Sequence, residues 1–149
     1  GYAIAALVGK REYMKVLEKD VFLSSTFFPN SDAQVAALKT IEILQRDKML
    51  DVLAAKGNNF AQQVEKVVAD SGIPARFSGA PWMPFITFPR DEAGLYKKLR
   101  TEFYTQLIRR GVFLQPYHHG YICYRHTDED LAYTVQAIKD SLGELKSIV

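Results

Sequence analysis

Cysteine is almost missing from this chain. Cys123 is the only one in 149 residues, so no disulfide can close within the sequence, and the usage is compatible with a reducing cytoplasm. Long apolar runs are missing as well. The longest, Ala3 to Val8, is far below the roughly 20 residues needed to span a bilayer, and no basic segment precedes it, which argues against a secretion signal. Neither sign of charge dominates, because 19 basic and 17 acidic residues are well mixed at a net charge of +2. That excludes the electrostatic footprint of a nucleic-acid or anionic-membrane binder. No repeat or low-complexity stretch interrupts the chain. A chain of this length can bury roughly two thirds of its unfolded surface, enough for one real core.

The patterning predicts an α+β fold. Ala3–Val8 is short, apolar and bounded by glycines, which reads as a buried parallel strand with no partner of its own. Arg11 to Lys19 carries Tyr13, Met14, Val16 and Leu17 among charges, as a short amphipathic helix does. Val21 to Phe28 is apolar, aromatic or β-branched around a Ser-Ser-Thr interruption, and Pro29-Asn30 stops it. Ser31 with Gln34 forms a capping-box pattern ahead of apolar residues at helical spacing, so one long helix is expected from about Asp32 to about Ala55, ended by Gly57. A second should run from Asn58 to about Asp70, stopped by Ser71-Gly72-Ile73-Pro74. Strands are predicted over Ala75–Ser78, Phe85–Phe88 and Tyr121–Arg125. Helices are predicted over Leu95–Arg110 and Asp128–Ile148, the last capped by Thr127 with three acids in its first turn. The result is a small, mostly antiparallel sheet covered by helices.

Few residues declare chemistry by themselves. Ser24, Ser25 and Thr26 read locally as a turn. His118 and His119 follow Pro116 in a loop of the kind that lines clefts, and in an extended segment at most one of the two should face a pocket. With His126 they have neither helical nor C-x-x-C spacing, so no metal is expected. Cys123 and His126, three apart on a strand, should lie on opposite faces, which leaves Cys123 a buried small hydrophobe and His126 a fixer of the turn into the last helix. Arg125 reads as a solvated strand-end cation. Lys39, Lys48 and Lys56 read as a solvated helix face. Trp82, between Pro81 and Pro84, walls a cleft or covers the sheet edge.

Four segments in register carry a resemblance. Gly1-Tyr2-Ala3-Ile4-Ala5-Ala6-Leu7-Val8-Gly9, Ser24-Ser25-Thr26, Gly111-Val112 through Pro116, and His126-Thr127-Asp128-Glu129-Asp130-Leu131 follow one another across nearly the whole chain. Together they resemble the C-terminal part of class III aminotransferases, pyridoxal-phosphate enzymes of fold type I, nearest the glutamate-1-semialdehyde aminomutase branch. Where this chain has Phe28-Pro29-Asn30, many members of that family have Gly-Asn-Pro.

The resemblance implies three parts: residues 1–30 as a remnant of the large cofactor domain, 31–57 as the interdomain helix, and 58–149 as the small C-terminal domain. It implies pyridoxal 5'-phosphate as cofactor, with Thr26, and Ser25 beside it, holding its phosphate from across a homodimer interface. His118, His119 and Trp82 are then expected on the substrate side, facing small amino-donor and carbonyl substrates. The lysine that holds the cofactor in this family would precede Gly1, which makes the chain alone inactive; Lys10 falls on the wrong side of the glycine-flanked strand. The reading from another class is a stand-alone α+β module that binds a metabolite or mediates dimerisation. The orphan strand at Ala3–Val8 counts against it.

Overall fold

A computed structural model describes residues 1–24, 26 and 30–149, and the chain divides into two units, Gly1–Lys48 and Met49–Val149. In the N-terminal unit, Arg11–Met14 (α1) runs into a 3-10 turn, Lys15–Glu18, as the charge-and-apolar pattern predicts. The segment before it does not form the predicted buried strand. Ala3–Val8 is irregular and exposed, with Leu7 and Val8 74% and 84% accessible, since a parallel strand cannot exist without neighbouring backbone to pair with. Val21–Ser24 is irregular too, and the rest of that apolar run falls partly outside the described residues.

Ser31–Arg46 (α2) follows, and its cap is shifted by one residue from the predicted one. The Asn30 carboxamide oxygen accepts from the Asp32 and Ala33 amides at 3.1 and 3.4 Å, leaving Ser31 as the first helical residue. The helix also stops earlier than its periodicity suggests. Asp47 accepts a bidentate pair from Arg46 at 2.7 Å, and Lys48 takes the left-handed region at φ 48, so the predicted single helix to Ala55 is two. Of the described residues in this unit, only Ala33 is buried.

The C-terminal unit holds the core. Met49–Ser71 (α3) absorbs both the end of the first predicted helix and all of the second, passing through Gly57 without interruption. Arg76–Ser78 (β1) and Phe85–Thr87 (β2) pair antiparallel with Phe77 opposite Ile86, forming the small sheet that patterning predicts. Leu95–Arg109 (α4) and Asp128–Glu144 (α5), the latter continued by a 3-10 turn at Leu145–Ser147, lie where their periodicity placed them. Phe60, Val64 and Val68 of α3, Leu99, Phe103 and Leu107 of α4, and Ile138 and Leu142 of α5 bury their apolar stripes together against Ile86 and Phe88. Phe103 makes edge contacts with Phe88 and Tyr104 at 5.6 and 5.1 Å. Tyr104 is fully packed yet satisfied, donating to the Ile86 carbonyl at 2.8 Å, and burial pushes its hydroxyl up to about 12.

Tyr121–Arg125 is not the predicted third strand. Its first part does lie along the β1–β2 connection, where the Gly120 and Ile122 amides donate to the Pro84 and Trp82 carbonyls at 2.8 and 2.9 Å. A tight turn then takes the chain away: the His126 amide donates to the Cys123 carbonyl at 3.2 Å, and the Cys123 amide to His126 Nδ1 at 3.2 Å.

Candidate active-site loops

Two connections of the C-terminal unit, Gly79–Pro84 and Leu114–Thr127, are locked side by side. The first is folded tightly: Gly79 has φ +91, and the Met83 amide donates to the Ala80 carbonyl at 2.7 Å. The second carries no regular structure but is fastened along its length. Near its start, Tyr117 stacks under the Arg100 guanidinium at 4.3 Å and accepts from its Nη2 at 3.0 Å. In its middle are the two bonds from Gly120 and Ile122. At its end the Lys56 ammonium, on α3, donates to the His126 carbonyl.

What these fasteners present is aromatic and polar. His118 and His119 stack with ring centroids 4.2 Å apart, and His119 Nε2 lies 2.8 Å from the Tyr121 hydroxyl. The segment turns rather than extends, with the His118 amide bonded to the Gln115 carbonyl, so the alternation of an extended chain does not apply to the two histidines. Trp82 keeps 42% of its surface exposed although its backbone is bonded to Ile122. Trp82, His118 and His119 thus stand on adjoining loops.

Other residues depart from their readings. Cys123 is exposed and not a core residue, because the turn closed by His126 carries it outward. His126 does fix the entry to α5. The Thr127 hydroxyl then accepts from the Asp130 amide at 3.1 Å, while the Asp130 carboxylate accepts from the Thr127 amide at 2.8 Å. That backbone bond, ahead of smaller pulls that include the Lys56 charge, holds the Asp130 carboxyl below the usual range. Arg125 is exposed as expected, in a turn and not at a strand end. Lys56 is half-buried and bonded, not part of a solvated face. Sequence reasoning missed Lys56, Gly57, Arg100 and Tyr121; their partners are distant in the chain, and no local pattern signals them.

In the N-terminal unit Thr26 is an exposed turn residue, and among the described residues its hydroxyl has no intramolecular partner. Two of the first amides of α2, those of Asp32 and Ala33, are occupied by the Asn30 side chain. Ser25 lies outside the described residues. A groove of about 780 Å³ between the ends of α3, α4 and α5 contains none of these residues and carries mixed charge, including the Arg110–Glu144 pair at 3.0 Å. Among the described residues no helix is long and apolar enough to cross a membrane.

The fold recurs in known structures. An ω-transaminase from Sphaerobacter thermophilus superposes with a TM-score of 0.80 at 22% identity, covering 93% of this chain and 34% of that one. The pyridoxal-phosphate internal-aldimine form of the Sphingopyxis sp. MTA144 protein FumI does so with a TM-score of 0.75, also at 22% identity, covering 86% of this chain and 30% of that one. No family model matches the chain. The curated proteins it resembles are nonetheless aminotransferases and aminomutases. The 3-aminobutyryl-CoA aminotransferase of Cloacimonas acidaminovorans is 74% identical over all 149 residues, which make up 36% of that protein. The glutamate-1-semialdehyde 2,1-aminomutase of Methanopyrus kandleri is 28% identical over 97% of the chain, again 36% of that protein. The chain therefore spans about a third of the length of the relatives it matches.

Proposed function

We propose that this chain is the C-terminal part of a pyridoxal-phosphate aminotransferase that moves the amino group of a β-amino acyl thioester, 3-aminobutyryl-CoA or a close analogue, to an oxo acid. The observation that carries the reading is identity at 74% of positions over every residue to an aminotransferase of that substrate. It also favours an enzyme over a stand-alone binding module. When bound, the cofactor supplies the electron sink for breaking bonds at the amino-bearing carbon. This chain's residues bind and orient. Thr26, with Ser25 beside it, donates to the cofactor phosphate of the other subunit in a homodimer, and a dianion gains most from such charge-assisted bonds. Trp82, His118 and His119 wall the substrate side, where their exposed rings exclude water and contact the acyl group. The low cysteine content supports a reducing, cytoplasmic setting.

The test is a half-reaction in the full-length protein. Adding 3-aminobutyryl-CoA to the cofactor-loaded enzyme should convert the pyridoxal form to the pyridoxamine form with one oxo product released per site. Conversion by glutamate 1-semialdehyde, with none by the thioester, would move the protein to the aminomutase activity and overturn this substrate.

A further inference from the structure

We infer that one turn of α3, at Lys56 and Gly57, is a positioning element that sets where the substrate loops stand. This rests on the reading that those loops face the substrate. A glycine in the interior of a helix weakens it, so one that persists there needs a reason in packing. Gly57 has one. A Cβ at this position would lie 2.8 Å from Trp82 N, 2.9 Å from Pro81 C and 3.0 Å from Trp82 Cα. All three are backbone atoms, so no side-chain rotation could relieve the clash.

The contact does not end at Trp82. The Trp82 carbonyl holds the Ile122 amide at 2.9 Å, and Pro84, two residues on, holds Gly120 at 2.8 Å. Whatever moves the Trp82 backbone therefore moves the stretch that carries His119 and Tyr121. The adjacent residue on α3, Lys56, holds the far end of the same loop by its bond to the His126 carbonyl. Two neighbouring residues of one rigid helix thus fasten the first connection and both the middle and the end of the second. The contacts that Lys56 and Gly57 make here are with loop backbone, the His126 carbonyl and the Pro81–Trp82 peptide, so their role is to position and not to bind. The Trp82 ring projects from a backbone held on one side by α3 at Gly57 and on the other by the Ile122 amide, as a preorganised wall requires.

The experiment uses the full-length, cofactor-loaded enzyme with 3-aminobutyryl-CoA as amino donor, and three variants. Gly57→Ala adds the clashing Cβ, and Lys56→Met removes the loop bond without adding bulk. Gly143→Ala is the control, a helical glycine whose Cβ would meet nothing within 4 Å. Amide exchange at Gly120 and Ile122 reads the fastening, and KM against kcat reads its use. Displacements of order 1 Å can cost up to ~10²-fold. We expect exchange at both amides to quicken, and KM to rise about tenfold with kcat within about twofold, in Gly57→Ala and Lys56→Met but not in Gly143→Ala. Loss of folded enzyme would instead lower apparent kcat at unchanged KM; if Gly57→Ala behaves so, Lys56→Met decides. Unchanged exchange in Lys56→Met with unchanged KM would overturn the positioning role. Faster exchange at unchanged KM would overturn the placement of these loops against substrate, while the half-reaction with the thioester could still succeed.

Discussion

Asp91 starts α4 from four residues before it. Its carboxylate accepts from the Leu95 and Tyr96 amides at 2.9 and 2.7 Å, while Gly94, at φ 75, turns the chain into the helix without a side-chain cap of its own. The Tyr96 amide is the main cause that holds the Asp91 carboxyl below its ordinary value, against a weaker opposing effect of burial. A depressed folded-state value means that the stabilisation is present above the unfolded carboxyl value and is lost as pH falls through the folded one. The stability difference between wild type and Asp91→Ala, from urea unfolding, should therefore hold constant near neutral pH and shrink on acidification below about pH 4. A difference that stays constant into strong acid would mean that the uncharged side chain does the capping. Thr127 was legible because its cap sits directly before acids and an apolar stripe. Asp91 was not, because its partners lie across a glycine turn that the helical period does not include.

Two helical glycines separate what local sequence can say from what it cannot. At Gly143, near the end of α5, a methyl group would meet nothing, so Gly143→Ala should raise stability by up to about 0.5–1 kcal/mol. At Gly57 the same change gains that helix propensity but drives a Cβ into the Pro81–Trp82 backbone, and should be net destabilising by about 1–3 kcal/mol, as overpacking usually is. Urea midpoints of the two variants should move in opposite directions; movement in the same direction would contradict the close approach at Gly57. In sequence, Gly57 read as a helix stop, since glycine commonly ends helices. What keeps it inside α3 is a contact with a distant loop. The break at Asp47–Lys48 was hidden for the converse reason: no glycine or proline marks it, and the apolar period runs straight through. α4, α5 and the β1–β2 pair were legible because their apolar periods and turn residues agree with the packing they meet.

Across the whole molecule, legibility follows burial. The C-terminal unit contains the partners its apolar faces need, so the patterning of its helices and of the β1–β2 pair translated into structure, while Tyr121–Arg125 did not become a strand. The N-terminal unit leaves Tyr2, Leu7, Val8, Phe22 and Leu38 exposed, so the same reasoning over Ala3–Val8 produced a strand without a ladder. The same unit carries Thr26, on which the cofactor reading turns. The decisive measurement is equilibrium affinity for pyridoxal phosphate in the full-length protein, for wild type, Thr26→Ala and Ser25→Ala. Loss of one charge-assisted bond at Thr26 should weaken binding by about 1.5–3 kcal/mol, with far-UV dichroism and molar mass in solution unchanged and Ser25→Ala affected less. Wild-type affinity in Thr26→Ala would contradict the account; a loss in Ser25→Ala alone would transfer the phosphate role to the neighbouring hydroxyl.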